Sequence, residues 1–333
     1  MTPATSSASV RTPDGSPPPD GAAAGAVGDA GAFAAAAART AGVSVRAVDD
    51  VAGVRAVAAF FADVWQLPRS NPPYPTEVLH SLIHAGGAVH AAYFAGQEAG
   101  QGAGQGDERL AGAAVAVFGP PAEQDVYSFV AAATASDRGV GFAVKQAQRA
   151  WALARGARTM RWTFDPLVGR NARFNLVKLG AVGAEYLVDL YGPMNDGVND
   201  GDESDRLTAS WDLVTGTTRT AGPADPAGQA DSEEGRADAA VIRLAPDGGP
   251  LAARAEGRLW CRVPADIVAM RANDPALALR WRHAVREVFT EAYAEGFRAT
   301  AMSRDGWYLL TPGTGTGSGT GTGTANASED QRP

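Results

Sequence analysis

Apolar residues recur at helical spacing over 51–67, where Val54, Val57, Ala58, Phe61, Val64 and Trp65 form one stripe that Pro68 ends. A second helix is predicted over 75–85, opened by Pro75. The period then drops to two. Segments 89–94, 110–118 and 126–134 are rich in Val, Tyr and Phe, are bounded by Gly or Pro, and read as strands. A helix at 142–155 closed by Gly156 follows, then a strand at 159–164 and a helix at 169–179 closed by Gly180. Strands at 182–191 and 207–213 complete this body, and a short strand at 43–47 precedes it. The order is β-α-α-β-β-β-α-β-α-β-β. Three consecutive strands ahead of two strand–helix units predict an α/β (α+β) chain with a mixed central sheet flanked by helices.

A smaller body at 237–310 repeats the alternation, with strands at 239–244 and 257–263, a helix from Pro264 and a long helix at 275–295. Val285, Val288, Phe289 and Tyr293 line one face of that long helix, and strands at 297–302 and 307–310 follow. Three stretches are too poor in large apolar side chains to offset the entropy of ordering. Residues 1–42, with Phe33 as their one aromatic ring, and the Gly/Thr-rich 311–333 are expected to be disordered. Residues 216–236 read as a linker between a first body at 43–215 and the second, and the insert at 96–106 as an overgrown hairpin loop.

Composition narrows the function classes. The 333 residues carry 29 Lys plus Arg against 37 Asp plus Glu, a net charge of −8, which argues against nucleic acid or an anionic membrane as the main partner. The single cysteine, Cys261, excludes an internal disulfide framework and a cysteine-rich metal site. The chain shows neither an apolar run of about 18 residues nor a basic start followed by an apolar stretch, so a soluble cytoplasmic protein is expected.

The informative stretch is 126–180. A strand leads through an Arg/Gly turn, D-R-G-V-G-F-A at 137–143, into a helix. Gly139 and Gly141 lack side chains, so backbone N–H groups there can approach an anion, and the helix N-terminus and Arg138 add positive charge. Such a turn suits a phosphate or pyrophosphate. A dinucleotide fingerprint would need a third glycine where Val144 stands, and the Gly-Lys-Ser/Thr of a Walker loop is absent.

The R-x-x-G-x-A turn, on this strand order, resembles motif A of the GNAT superfamily of acyl-CoA-dependent N-acyltransferases, in the register that runs from Arg138 to Ala143. N-A-R-F-N-L-V-K-L-G at 171–180 resembles the superfamily's following helix. W-T-F-D-P-L at 162–167, Y-G-P-M-N-D at 191–196, D-R-L at 205–207 with Trp211, and Trp281-Arg282 look like a bacterial family of predicted acyltransferases within GNAT. The resemblance implies a splayed sheet whose gap between the strands at 126–134 and 159–164 holds the pantetheine arm, with a GNAT-like second half. It implies acyl-CoA as co-substrate with no permanently bound cofactor or metal, a small-molecule amine as acceptor, and leaves a homodimer open. It marks Ala133, Thr134, Arg138, Gly139, Val140, Gly141, Phe142, Ala143, Asn171 and Asn175 as the acyl-CoA contacts.

Many superfamily members place a tyrosine four residues before the glycine of K-x-G; this chain has Leu176 there. Proton transfer then falls to Asp165 or water as base and Tyr191 as acid. The plainer readings are that Asp165 caps the turn before Pro166 and that Tyr191 packs. A non-catalytic acyl-CoA-binding module is the alternative for the whole chain. His80 and His84 stand at metal-ligand spacing without an evident third ligand. Asp196, Asp200, Asp202, Glu203 and Asp205 read as a solvated acidic loop or as an attractor for a cationic amine.

Overall fold

The computed structural model describes residues 21–94, 109–134, 139–192, 202–215, 236, 238–255 and 257–313. Residues 1–20, the hairpin insert at 96–106, Arg138, Asp196, Asp200, the linker 216–235 and the tail from 314 lie outside the described residues.

The strands predicted in the first half form an antiparallel run β1 (Val43–Val48), β2 (Ala88–Phe94), β3 (Leu110–Phe118) and β4 (Asp125–Ala133). Helices α2 (Val51–Val64) and α3 (Thr76–His84) cover one face, burying Phe61 and Leu79 against Val89, Val115 and Val130. Asp50 starts α2 by accepting the Gly53 N–H at 2.8 Å. Helix α4 (Val140–Leu153) links β4 to β5 (Thr159–Phe164), and these two strands make the one parallel pair among the described strands. Beyond β5, α5 (Gly169–Arg173) runs on into a wider π-helical turn, Phe174–Lys178, where the Leu179 N–H reaches back five residues to the Phe174 carbonyl at 3.0 Å. Strands β6 (Val182–Leu187) and β7 (Arg206–Asp212) follow, with β7 lying between β5 and β6.

The second body adds β8 (Ala240–Leu244), β9 (Pro250–Ala255), β10 (Arg258–Arg262), α6 (Ile267–Asn273), α7 (Pro275–Ala294), β11 (Phe297–Met302) and β12 (Trp307–Pro312). It does not fold apart. β11 pairs with β6 at Ala299↔Gly183, giving one twelve-stranded sheet in the order β1-β2-β3-β4-β5-β7-β6-β11-β12-β10-β9-β8. One apolar cluster also runs from Val126 and Ala152 through Trp162 and Trp211 to Trp281, Val285 and Phe289. Gly183 sits where the halves meet: a Cβ there would lie 2.9 Å from both Ala299 Cβ and the Tyr293 hydroxyl. The architecture is therefore a mixed α/β one, a large, mostly antiparallel sheet flanked by helices.

Three expectations change. Within the 1–42 segment expected to be disordered, α1 (Gly21–Thr40) is a helix packed on α4, with Ala30 fully buried and Phe33 edge-on to Phe142 at 6.1 Å. Its alanines are the strongest helix formers and are small enough for close approach, so the helix needs few large side chains. β6 stops at Leu187 instead of 191, because Asp189 turns the chain with φ 45°. β9 was absent from the pattern; its alanines and arginines carry little strand signal, and it forms by pairing with β8 and β10.

Candidate functional site

The parallel β4–β5 ladder holds only from Asp125↔Thr159 to Tyr127↔Arg161. Beyond it β4 stays with β3 and β5 with β7, so the two strands part. At the parting point β4 carries one extra residue, Phe129, between Ser128↔Ala116 and Val130↔Val115, a bulge that bends the strand away. The opening is a cleft of about 250 Å³ lined by 128–133 of β4, Trp162, Thr163 and Phe164 of β5, Gly141, Val144 and Lys145 of α4, and Asn171, Phe174 and Asn175 beyond β5. Backbone groups that a continued ladder would consume thus face the cleft.

The predicted contact residues divide. Ala133, Gly141, Asn171 and Asn175 line the cleft. Gly139 caps α4 in a left-handed conformation, φ 79°, and the Ala143 N–H already donates to its carbonyl at 2.9 Å. The amides of Val140, Gly141 and Phe142 lie in the first turn, where an α-helix leaves its N–H groups without intrahelical acceptors. The side chains there point elsewhere: Val140 and Ala143 are buried with Ala38 and Val43, and Phe142 meets α1. Thr134 donates both its N–H and its hydroxyl to the Ala111 carbonyl, at 2.9 and 3.2 Å. The Asn175 Oδ1 accepts the Trp162 indole N–H at 3.2 Å, which fixes the wall of the cleft. Leu176, at the usual tyrosine position, is 2% exposed and belongs to the core.

Sequence reasoning missed the most polar feature of the cleft. Lys145, 4% exposed, donates from Nζ to the Ser128 hydroxyl at 2.7 Å, which donates on to Gln148 Oε1 at 2.9 Å. The same ammonium lies 3.9 Å from the centroid of the Trp162 ring. Burial pushes the Lys145 ammonium down to about 7. The available signal was polar residues, Lys145, Gln148 and Arg149, at positions of the apolar stripe of α4.

Asp165 is held in an ion cluster. Its Oδ1 accepts from Arg282 at 2.9 Å and from the Leu167 N–H at 2.9 Å, and its Oδ2 accepts from Arg282 at 3.1 Å and from Arg271. Arg282 and Arg271 also grip Asp202, each at 2.8 Å. Burial would raise the Asp165 carboxyl, but the two guanidiniums outweigh it and hold it at about 2. With both oxygens occupied, it has no place to receive a proton. The turn-capping reading holds, enlarged into an ion cluster between the halves. Asp205 is likewise buried, bonded to Tyr186 at 2.7 Å and to Arg286, so this part of the acidic run is an internal clamp and not a solvated loop.

Tyr191 lies in the turn after β6 and is 53% exposed. Its hydroxyl is 3.0 Å from Thr163 Oγ1, itself 3.4 Å from the Tyr127 hydroxyl. Because Thr163 lines the cleft, this chain of hydroxyls reaches its wall. Asp189, two residues earlier, turns back and accepts the Ser204 N–H at 2.9 Å. His80 and His84 are not joined by a third ligand, and no group of three or more metal-ligating residues forms among the described residues. No described helix is long and apolar enough to cross a membrane.

No protein-family model matches the sequence, and no curated protein matches it. Solved structures do. An N-acetyltransferase from Staphylococcus aureus Mu50 is 16% identical, covering 51% of this chain and 98% of its own, with a TM-score of 0.38. A spermidine/spermine N-acetyltransferase from Vibrio cholerae, in complex with manganese ions, is 13% identical, covering 55% of this chain and 99% of its own, with a TM-score of 0.38. An IAA acetyltransferase from Bacillus cereus is 12% identical, covering 51% and 99%, with a TM-score of 0.35.

Proposed function

We propose that the chain is an acyl-CoA-dependent N-acyltransferase of the GNAT type that acts on the amine of a small molecule. The observation that carries this reading is the early end of the β4–β5 ladder, which leaves strand edges facing a cleft whose other end is the first turn of α4. A pantetheine arm is a thin chain with two amides, and it can complete the unpaired edge of β4 as a strand would. The free amides at Val140, Gly141 and Phe142 then receive the pyrophosphate, with Arg138 contributing its charge.

Within this cleft the neutral amine attacks the thioester carbonyl. The C–N bond forms, the C–S bond breaks, the nitrogen gives up a proton and the departing thiolate takes one. Backbone N–H groups of β4 beside the Phe129 bulge hold the developing oxyanion. Tyr191, linked to the cleft through Thr163, supplies the proton to the thiolate. With Asp165 locked in its ion cluster, a water accepts the proton of the amine.

The test is release of CoA thiol from acetyl-CoA with a panel of amines, run beside calorimetric titration with CoA. Amine-dependent thiol release supports the enzyme. CoA binding without release assigns a binding module, and absence of CoA binding removes the reading altogether.

A further inference from the structure

Lys145 is a lysine buried beside neutral groups. Lysines are almost never fully buried unless paired, yet among the described residues no carboxylate forms an ion pair with this one. Its contacts are the Ser128 hydroxyl, 2.7 Å away, and the face of Trp162, 3.9 Å away. Ser128 is the first residue of β4 past the end of the β4–β5 ladder, so the ammonium stands at the closed end of the cleft. The oxygen acceptors nearby are committed, while the Gln148 Nε2 is buried without a partner. Gln148 Oε1 accepts from Ser128, and Asn175 Oδ1 accepts from Trp162. Among the described residues the amine is thus held in place by neutral groups, and no anion meets its remaining N–H capacity.

This bears on the acyl group, if the reading above is right that pantetheine enters past Gly141. A chain running inward from the thioester approaches Lys145 last. A methyl end would leave the amine without an anion, and burial then favours its neutral form. An anionic end would supply the missing partner. We infer that the donor is an acyl-CoA whose acyl chain ends in a carboxylate, and that Lys145 pairs with that carboxylate at the apex of the cleft.

The experiment is calorimetric titration of the full chain with three ligands: CoA, a non-transferable CoA thioether whose short alkyl chain ends in a carboxylate, and the uncharged alkyl thioether of the same length. The carboxylated thioether is expected to bind at least about tenfold more tightly than its uncharged counterpart, the scale of one charge-assisted hydrogen bond. In Lys145→Met the preference should fall to within about twofold or reverse. Equal or tighter binding of the uncharged thioether to the natural chain, while CoA itself binds, overturns the inference and leaves the acyltransferase reading standing. Failure of all three ligands to bind overturns both. Mass spectrometry after incubation with acetyl-CoA gives a further check. An acyl mark on Lys145 would make it an acceptor of the group and overturn its role as counter-charge.

Discussion

Arg282 reaches Asp165 across 117 residues of sequence and meets both of its carboxylate oxygens, at 2.9 and 3.1 Å. With Arg271 and Asp202 they form a neutral foursome, two carboxylates and two guanidiniums, in which Arg282 is fully buried. Asp165→Asn removes one negative charge and leaves a buried guanidinium in excess. Breaking a buried pair in this way costs about 3–5 kcal/mol. The expected result is a large fall in the denaturation midpoint with turnover per folded molecule retained. An unchanged midpoint with turnover lowered about 10²-fold or more would return Asp165 to the chemistry.

The same cluster sets an acid limit. The Asp165 carboxyl sits at about 2 when folded, below its ordinary 3.8. Its stabilisation is therefore complete above about pH 4 and is lost as pH falls from there towards 2, where folding must release a proton. Acid unfolding followed by circular dichroism should move to higher pH in Arg271→Met, which leaves Asp165 with one guanidinium fewer.

Tyr191→Phe removes only a hydroxyl from a half-exposed ring, so the melting temperature should stay within a degree or two of the natural chain's. Turnover should fall about 10²- to 10⁴-fold, the range for loss of a proton-transfer group. The loss should appear in kcat more than in KM. Unaltered turnover would assign the hydroxyl to the Thr163 contact alone.

Gly141→Val tests the phosphate turn. A Cβ at this position meets only Phe174 Cζ, at 3.9 Å, so the fold has room for it. The branched side chain would nevertheless occupy the mouth of the cleft. CoA affinity should drop by more than about tenfold, or about 1.4 kcal/mol, at an unchanged melting temperature. Affinity within about twofold of the natural chain would place the pyrophosphate elsewhere.

Lys145→Met should stabilise the empty protein. The ammonium titrates near 7 when folded against 10.5 otherwise, because burial disfavours its charge. Between those values the unfolded chain holds the proton that the folded chain has lost, so stability rises with pH from about 7 to about 10.5. The methionine variant should lose that slope and melt higher at neutral pH. A slope equal to that of the natural chain would mean that the amine is solvated.

The order of strands and helices through β7 was legible because hydrophobic period and Gly/Pro punctuation agree there. α1 was not, since a rule that counts large apolar side chains overlooks an alanine helix whose burial comes from closeness rather than bulk. The turn at Gly139 and Gly141 was legible from its glycines, of which Gly139 adopts the left-handed conformation that favours glycine. Lys145 escaped because a lysine in a helix is ordinarily read as a solvent-facing residue. Its place between Val144 and Gln148 on the stripe of α4 was visible, but its cost could be judged only once Trp162 and Ser128 were seen around it. The ion cluster around Asp165 was hidden for the converse reason. Its partners come from α6 and α7, more than a hundred residues away, and no local pattern announces them.

The sheet crosses from one half of the molecule to the other at one backbone pair, Ala299↔Gly183. What reinforces that seam is side chain on backbone: Tyr293 on the Gly183 carbonyl at 2.6 Å, Tyr308 on Pro166 at 2.7 Å and Arg173 on Met302 at 2.7 Å. Under mechanical load the sheet would accordingly behave as two plates riveted along a line. A torque between them would fall first on these rivets and on Arg271 of α6 and Arg282 of α7, which grip Asp165 at the end of β5. The strand that forms one lip of the cleft is thereby anchored to the far plate, and the width of the cleft depends on how firmly the rivets hold.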